Sequence, residues 1–250
     1  MEKVLIITNN DNVWLKPAWS KVINSSDNTL KFNLITLPER KINKMNPLIY
    51  YFQNFGIKNF ILLALFSVLR MTKFYKTNKN IFSNDITMNL NSFDIEMIEK
   101  KLKDFKPSIV FITCSYIIPT QLLNFSRDTS WFNKHASLLP NGKGVFPYIY
   151  NTIDGLQQGI SFHYVTESID SGDIVYIENI DSKKTMVAFY KEIFDNFDEY
   201  FLNFYKNFKS NVRYKQEGKG SYYSFPNKKV LKTFYKAGGK IINLKDIINE

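Results

Sequence analysis

The sequence predicts an α/β fold: one parallel-dominated sheet covered by helices, with a small C-terminal appendage. Three observations carry this. Lys3–Thr8 and Ser108–Cys114 are short, continuous apolar runs, the pattern of strands buried on both faces. Between them, residues 93–105 set Ile95, Met97, Ile98 and Leu102 on one helical face. Strand, helix and strand at this spacing describe a parallel crossover. After Asp181 the pattern changes to a long aromatic helix followed by a Gly- and Tyr-rich stretch.

Taken in order, Asn9-Asn10-Asp11-Asn12 breaks the first strand, and Pro17–Ile23 forms a short helix. Leu30–Leu37 alternates as a strand, and residues 47–72 read as helical with apolar groups on most faces. Asn91 or Ser92 caps the helix at 93–105, and Pro107 ends it. A short helix at Pro119–Phe125 precedes a strand at Trp131–Ser137. Gly144–Ile153 restarts a helix after the Leu-Leu-Pro turn, and Gly159–Val165 and Ile174–Ile180 are strands. Thr185–Phe208 reads as one helix whose Met186, Tyr190, Ile193, Phe197, Phe201, Phe204 and Phe208 form a core stripe. Tyr214–Phe225 is expected as a hairpin or extended arm, and a short helix closes the chain near 241–248. The expected division is residues 1–180 as a catalytic domain and 181–250 as an extension serving dimerisation or substrate contact.

The chain has 250 residues and a formal net charge of +10. A basic balance invites a nucleic-acid partner. Its only arginines, however, are Arg40, Arg70, Arg127 and Arg213, and the lysines are scattered rather than clustered, so no nucleic-acid partner is expected. The residual positive field suits a small anionic substrate. Cys114 is the only cysteine, which excludes an internal disulfide and a cysteine-based zinc site; no metal is expected. The N-terminus reads as a first strand rather than a signal peptide. The longest apolar stretch, Phe60–Leu69, is too short to span a bilayer. It reads as a buried or interface helix in preference to a membrane-surface one, with no membrane insertion and a cytoplasmic location.

Both histidines of the chain, His135 and His163, fall in one stretch that ends at Asp170-Ser171-Gly172-Asp173. Strand alternation puts Asn133 and His135 on one face. An amide donor, an imidazole and a carboxylate together can stabilise an oxyanion and move a proton. His163 reads as a scaffold residue, because Asn133, His135 and Asp170 already complete the set.

The run Asn133-x-His135-x-Ser137-Leu138-Leu139-Pro140 resembles the signature of the folate-dependent formyltransferases. So do Gly144 and Pro147, Asp154-Gly155, Gly159, His163-Tyr164-Val165-Thr166 and Ile169-Asp170-Ser171-Gly172-Asp173-Ile174. The likeness covers residues 108–180 closely and 1–8 loosely; Ala136 stands where the family usually has proline, and residues 40–90 carry no assignable motif. The resemblance implies a Rossmann-like formyltransferase domain that moves a formyl group from N10-formyltetrahydrofolate to a primary amine. It implies catalytic roles for Asn133, His135 and Asp170. It also implies a pterin pocket lined by Tyr116, Ile117 and Ile118 and by Val165, Thr166 and Glu167, and a cis Leu139–Pro140 bond. Length and the Pro140–Gly144 turn look most like the nucleotide-sugar N-formyltransferases, which act on dTDP-linked amino-dideoxyhexoses for surface polysaccharide (O-antigen, lipopolysaccharide) and are usually homodimers. In that reading Asn9, Asn10, Lys143 and Tyr222 are the substrate contacts. A methionyl-tRNA formyltransferase-like enzyme and a non-catalytic folate or nucleotide-sugar binding protein stay open as alternatives.

Overall fold

The structure, a computed structural model, describes residues 1–27, 29–42, 44–77, 86–181 and 185–250. The boundary drawn at 180/181 adjoins residues 182–184, which lie outside the described residues. In chain order the elements are β1 (Glu2–Asn9), α1 (Leu15–Ser25), β2 (Leu30–Leu37), α2 (Pro47–Phe55), α3 (Ile57–Thr77), β3 (Thr87–Asn89), α4 (Ile95–Phe105), β4 (Ile109–Thr113) and α5 (Thr120–Leu123). They continue with β5 (Ser130–His135), β6 (Lys143–Gly144), α6 (Pro147–Ile153), β7 (Gly159–Tyr164), β8 (Ile174–Asn179), α7 (Met186–Asp195), α8 (Phe197–Lys209), β9 (Tyr222–Tyr223), α9 (Lys228–Lys236) and α10 (Leu244–Ile248).

Seven strands form one sheet in the order β3-β2-β1-β4-β5-β7-β8. β1 through β5 pair in parallel, whereas β5–β7 and β7–β8 are antiparallel. Chain order reverses between β1 and β4, which makes their C-terminal ends a topological switch point, the place where open α/β sheets bind ligands.

Alternation along the strands builds two cores. Val4, Ile6, Phe111, Phe132 and Phe162 face α1, α7 and α8, and Leu5, Ile7, Val110, Ile112 and Trp131 face α4 and α5. Phe201 and Phe204 of α8 are fully buried against Phe111 and lie in the first of these cores. The aromatic stripe at 185–208 is thus spent inside the molecule.

Four local readings differ from the structure. The stretch 185–208 is two helices separated at Asn196; both feed the same core, so the apolar period shows no break. The helix at 95–105 is capped by Asp94, whose carboxylate accepts the Met97 N–H, not by Asn91 or Ser92. Residues 47–72 divide at Gly56, where φ is +81°, a value a side chain resists. Residues 214–225 form the extended arm, not the hairpin, of the two forms expected. Tyr214 bridges to Ile174, while Tyr222 and Tyr223 pair in parallel with Lys143 and Gly144, partners too distant in sequence for a local pattern to reveal.

Candidate active site

The register of β5 against β7 sets Asn133 opposite His163 and His135 opposite Ser161. All four side chains belong to the α4/α5 face of the sheet. Lys134, between Asn133 and His135, projects to the other face. Its Nζ lies 4.5 Å from the centre of the Phe194 ring, and burial brings its pKa down to about 8.

Asp170 is the hub. Its φ is +48°, a left-handed conformation that aspartate tolerates better than most residues. One carboxylate oxygen lies 3.5 Å from His135 Nδ1 and accepts the Gly144 N–H at 2.9 Å; the other lies 3.6 Å from His163 Nε2. Burial alone would push the carboxyl up. The His163 and His135 imidazoles and the Gly144 amide outweigh it and hold the pKa at about 2.

His135 donates Nε2–H to the Gly142 carbonyl at 2.7 Å. Burial lowers its pKa, against the opposing pull of Asp170. His163 is only 2 % exposed and donates Nδ1–H to the Tyr164 carbonyl at 2.8 Å, which leaves Nε2 buried without a hydrogen-bond partner. His163, with Asn133 and Asp170, lines a cleft walled by Tyr116–Ile118 and Val165–Asp170. His163, which the sequence reading assigned to the scaffold, thus shares the Asp170 carboxylate with His135. Its position opposite Asn133 depends on strand register, a property invisible before the pairing is known. Leu139–Pro140 is cis. Its turn delivers Gly142 and Gly144 to the site.

The other candidates fall in different places. Asn9 is consumed by the fold: its amide donates to the Pro38 carbonyl at 2.9 Å and accepts the Ser115 N–H at 2.7 Å, stapling the ends of β1, β2 and β4. Asn10 is exposed at the end of β1. Lys143 reaches Ser171 Oγ at 3.1 Å, beside Asp170. Tyr222 is exposed on β9. Tyr116 stacks on Phe93, Ile117 is exposed and Ile118 is buried.

A second opening, unmarked by any sequence motif, is a cavity of about 700 Å³ that includes Trp14, Tyr51, Phe146, Tyr190, Asp11 and Glu39 in its walls. Burial raises the pKa of both carboxyls, against backbone N–H donors at Asp11 and with the Asp11 charge adding to it at Glu39. Phe146 follows closely on Gly144, whose N–H holds Asp170. Among the described residues no cluster of His, Cys, Asp and Glu is arranged to hold a metal ion.

An amide donor, two imidazoles and a low-pKa carboxylate at a strand-end cleft define a site of the acyl-transfer type. The chain belongs to the formyl transferase family, whose model matches residues 69–199, just over half of its length. Over 83 residues it is 36% identical to a methionyl-tRNA formyltransferase of Syntrophomonas wolfei, a stretch covering 32% of this chain and 26% of that protein. The match thus spans about a quarter of that relative's length. By structure it is similar to a 4-N formyltransferase from Francisella tularensis, with a TM-score of 0.58 at 20% identity over 90% of this chain and 76% of that one. It is also similar to a sugar N-formyltransferase from a Shewanella species, with a TM-score of 0.57 at 18% identity over 95% and 88%.

Proposed function

We propose that the protein transfers a formyl group from N10-formyltetrahydrofolate to the primary amine of a nucleotide-linked amino-dideoxy sugar. The carrying observation is the Asp170 carboxylate held between His135 and His163 in a cleft that also presents Asn133. The donor, when bound, supplies an amide-like formyl carbon open to attack by an amine. Asn133 donates its NH2 to the formyl oxygen as negative charge builds there. His163 Nε2 takes the proton that the acceptor nitrogen sheds, and Asp170 stabilises the resulting imidazolium. The same proton then passes to the departing nitrogen of the donor. His135, fixed by Gly142 and Asp170, orients the carboxylate. His163 Nε2, 3.6 Å from Asp170 Oδ1, is placed for this use. The backbone of Tyr116–Ile118 and Val165–Glu167 offers edges for the pterin ring.

For the acceptor, aromatic walls suit a nucleoside base. Likeness over nearly the whole chain to a protein described as a sugar N-formyltransferase supports the sugar reading. A formyl-transfer assay with N10-formyltetrahydrofolate and a panel of dTDP-linked 3- and 4-amino sugars tests it; no formylated product with any of them refutes it. The sequence relatives favour a second reading, formylation of methionyl-tRNA. That reading requires turnover on charged tRNA, weakened steeply by salt.

A further inference from the structure

We propose that α2 and α3 form a docking face for an anionic lipid surface. Nearly half of the large apolar side chains exposed among the described residues lie between 48 and 75, so the exposure is concentrated rather than scattered. On α3, Ile57, Ile61, Leu65 and Val68 are 63%, 58%, 46% and 51% exposed. Their spacing of four, four and three residues keeps them on one face. On α2, Leu48 and Phe52 are one turn apart and also exposed. The Phe52 ring meets Phe60 at 5.5 Å, edge to face, and joins the two helices into one surface. With 21 residues, α3 extends about 30 Å, long enough to lie along a membrane. Among the described residues no helix is long and apolar enough to cross one. A helix with an apolar face bordered by lysines lies in the interface plane.

Charge selects the occupant. Residues 40–84 contain no Asp or Glu. Arg70 turns inward to Asp195 and Glu250. Lys58 and Lys76, both exposed, stand 18 residues apart, five full turns, and so border the same edge of the stripe at its two ends. Lys73, like Arg70, is engaged by Glu250, whose carbonyl accepts its Nζ–H at 2.6 Å. A second copy of the chain docked across a two-fold axis would set α2 and α3, which carry lysines and no acid, against themselves, with no ion pair between the helices. An anionic bilayer offers the matching charge. Leu48 and Ala64, both exposed, also line the aromatic-walled cavity, whose lining includes Asp11 and Glu39 as well.

The test is co-sedimentation of the full chain with vesicles of phosphatidylcholine alone and of phosphatidylcholine containing one third phosphatidylglycerol. Expected is partition onto the anionic vesicles, reduced when salt rises from about 0.1 to about 0.5 M. Ile61→Asp with Leu65→Asp removes it, and Lys58→Gln with Lys76→Gln weakens it about fivefold per lysine. Urea unfolding of both variants controls for folding, and the lysine pair, being exposed, keeps the test open where the aspartate pair unfolds. Absence of partition onto anionic vesicles overturns the proposal. So does a dimer, seen by light scattering, that the aspartate pair dissociates while vesicles bind neither form.

Discussion

Replacing Asp170 with Asn removes a buried charge that two imidazoles and a backbone amide were arranged to meet. Its carboxyl titrates near 2 in the fold against 3.8 in an unfolded chain. That depression corresponds to about 2–3 kcal/mol of folding stability. Because the folded pKa is the lower one, this stability is present above pH 3.8 and is lost as pH falls through 3.8 toward 2. His135 adds to the same trend. Its folded pKa is also depressed, so acid removes stability there too, beginning as pH drops through the ordinary histidine value of 6.5. In Asp170→Asn the His135 ring keeps its burial and loses its counter-charge, so its pKa falls further. Urea unfolding from pH 7 down to pH 2 measures the first effect: the wild type and variant differ by about 2–3 kcal/mol at pH 7 and converge in acid. NMR titration of the imidazoles measures the second. Formyl transfer, assayed in parallel, falls by about 10²–10⁴ in kcat. A variant as stable as wild type at pH 7, with an unmoved His135 titration, refutes the hub geometry around Asp170.

Asn133→Ala lowers kcat by about 10²–10³ with a smaller change in KM, the mark of a donor used chiefly in the transition state; equal changes in the two contradict that role. Arg70→Met leaves Asp195 and the buried Glu250 short of their cation and costs about 3–5 kcal/mol in urea unfolding, with Lys191 pulling the value toward the lower end; a cost below about 1 kcal/mol means the network is a surface one. Gly144→Ala sets a methyl 2.1 Å from the Tyr223 carbonyl at a φ of +94°, so both stability and turnover fall; an unchanged melting temperature is the contrary result. Burial raises the Cys114 thiol to about 11, and the folded protein resists iodoacetamide at pH 8 while the urea-unfolded chain reacts.

Much of the architecture was legible because apolar runs and helical periods are local signals. The strands at 30–37, 108–114 and 159–165 appear within a residue or two of their expected limits. The grouping of Asn133 and His135 on one face followed from alternation alone. What stayed hidden depends on pairing. Asp170 was expected to face His135, but its sharing between two imidazoles arises from the β5–β7 register. Asn9 looked available for substrate because its amide is polar and near a strand end; the sequence cannot show that three strand ends converge on it. Phe60–Leu69 read as buried or interface because its apolar residues cover most of the helix, and only packing decides which of those sides the core accepts. Phe66 is buried, whereas Ile61, Leu65 and Val68 are not.

The extended segment between α8 and α9 touches the site at several backbone points. Gln216 donates to the carbonyls of Asp170 and Gly172, Ser221 Oγ accepts the Gly142 N–H, and the Ser221 and Tyr223 carbonyls accept the N–H groups of Lys143 and Val145. These bonds fix the backbone of the residues that position His135 and Asp170. As the chain leaves the ribosome, all the reacting side chains emerge well before the segment that sets them. A nascent chain halted near residue 210 would carry the whole motif yet lack its alignment. Competence thus arrives late in synthesis, as a consequence of chain order.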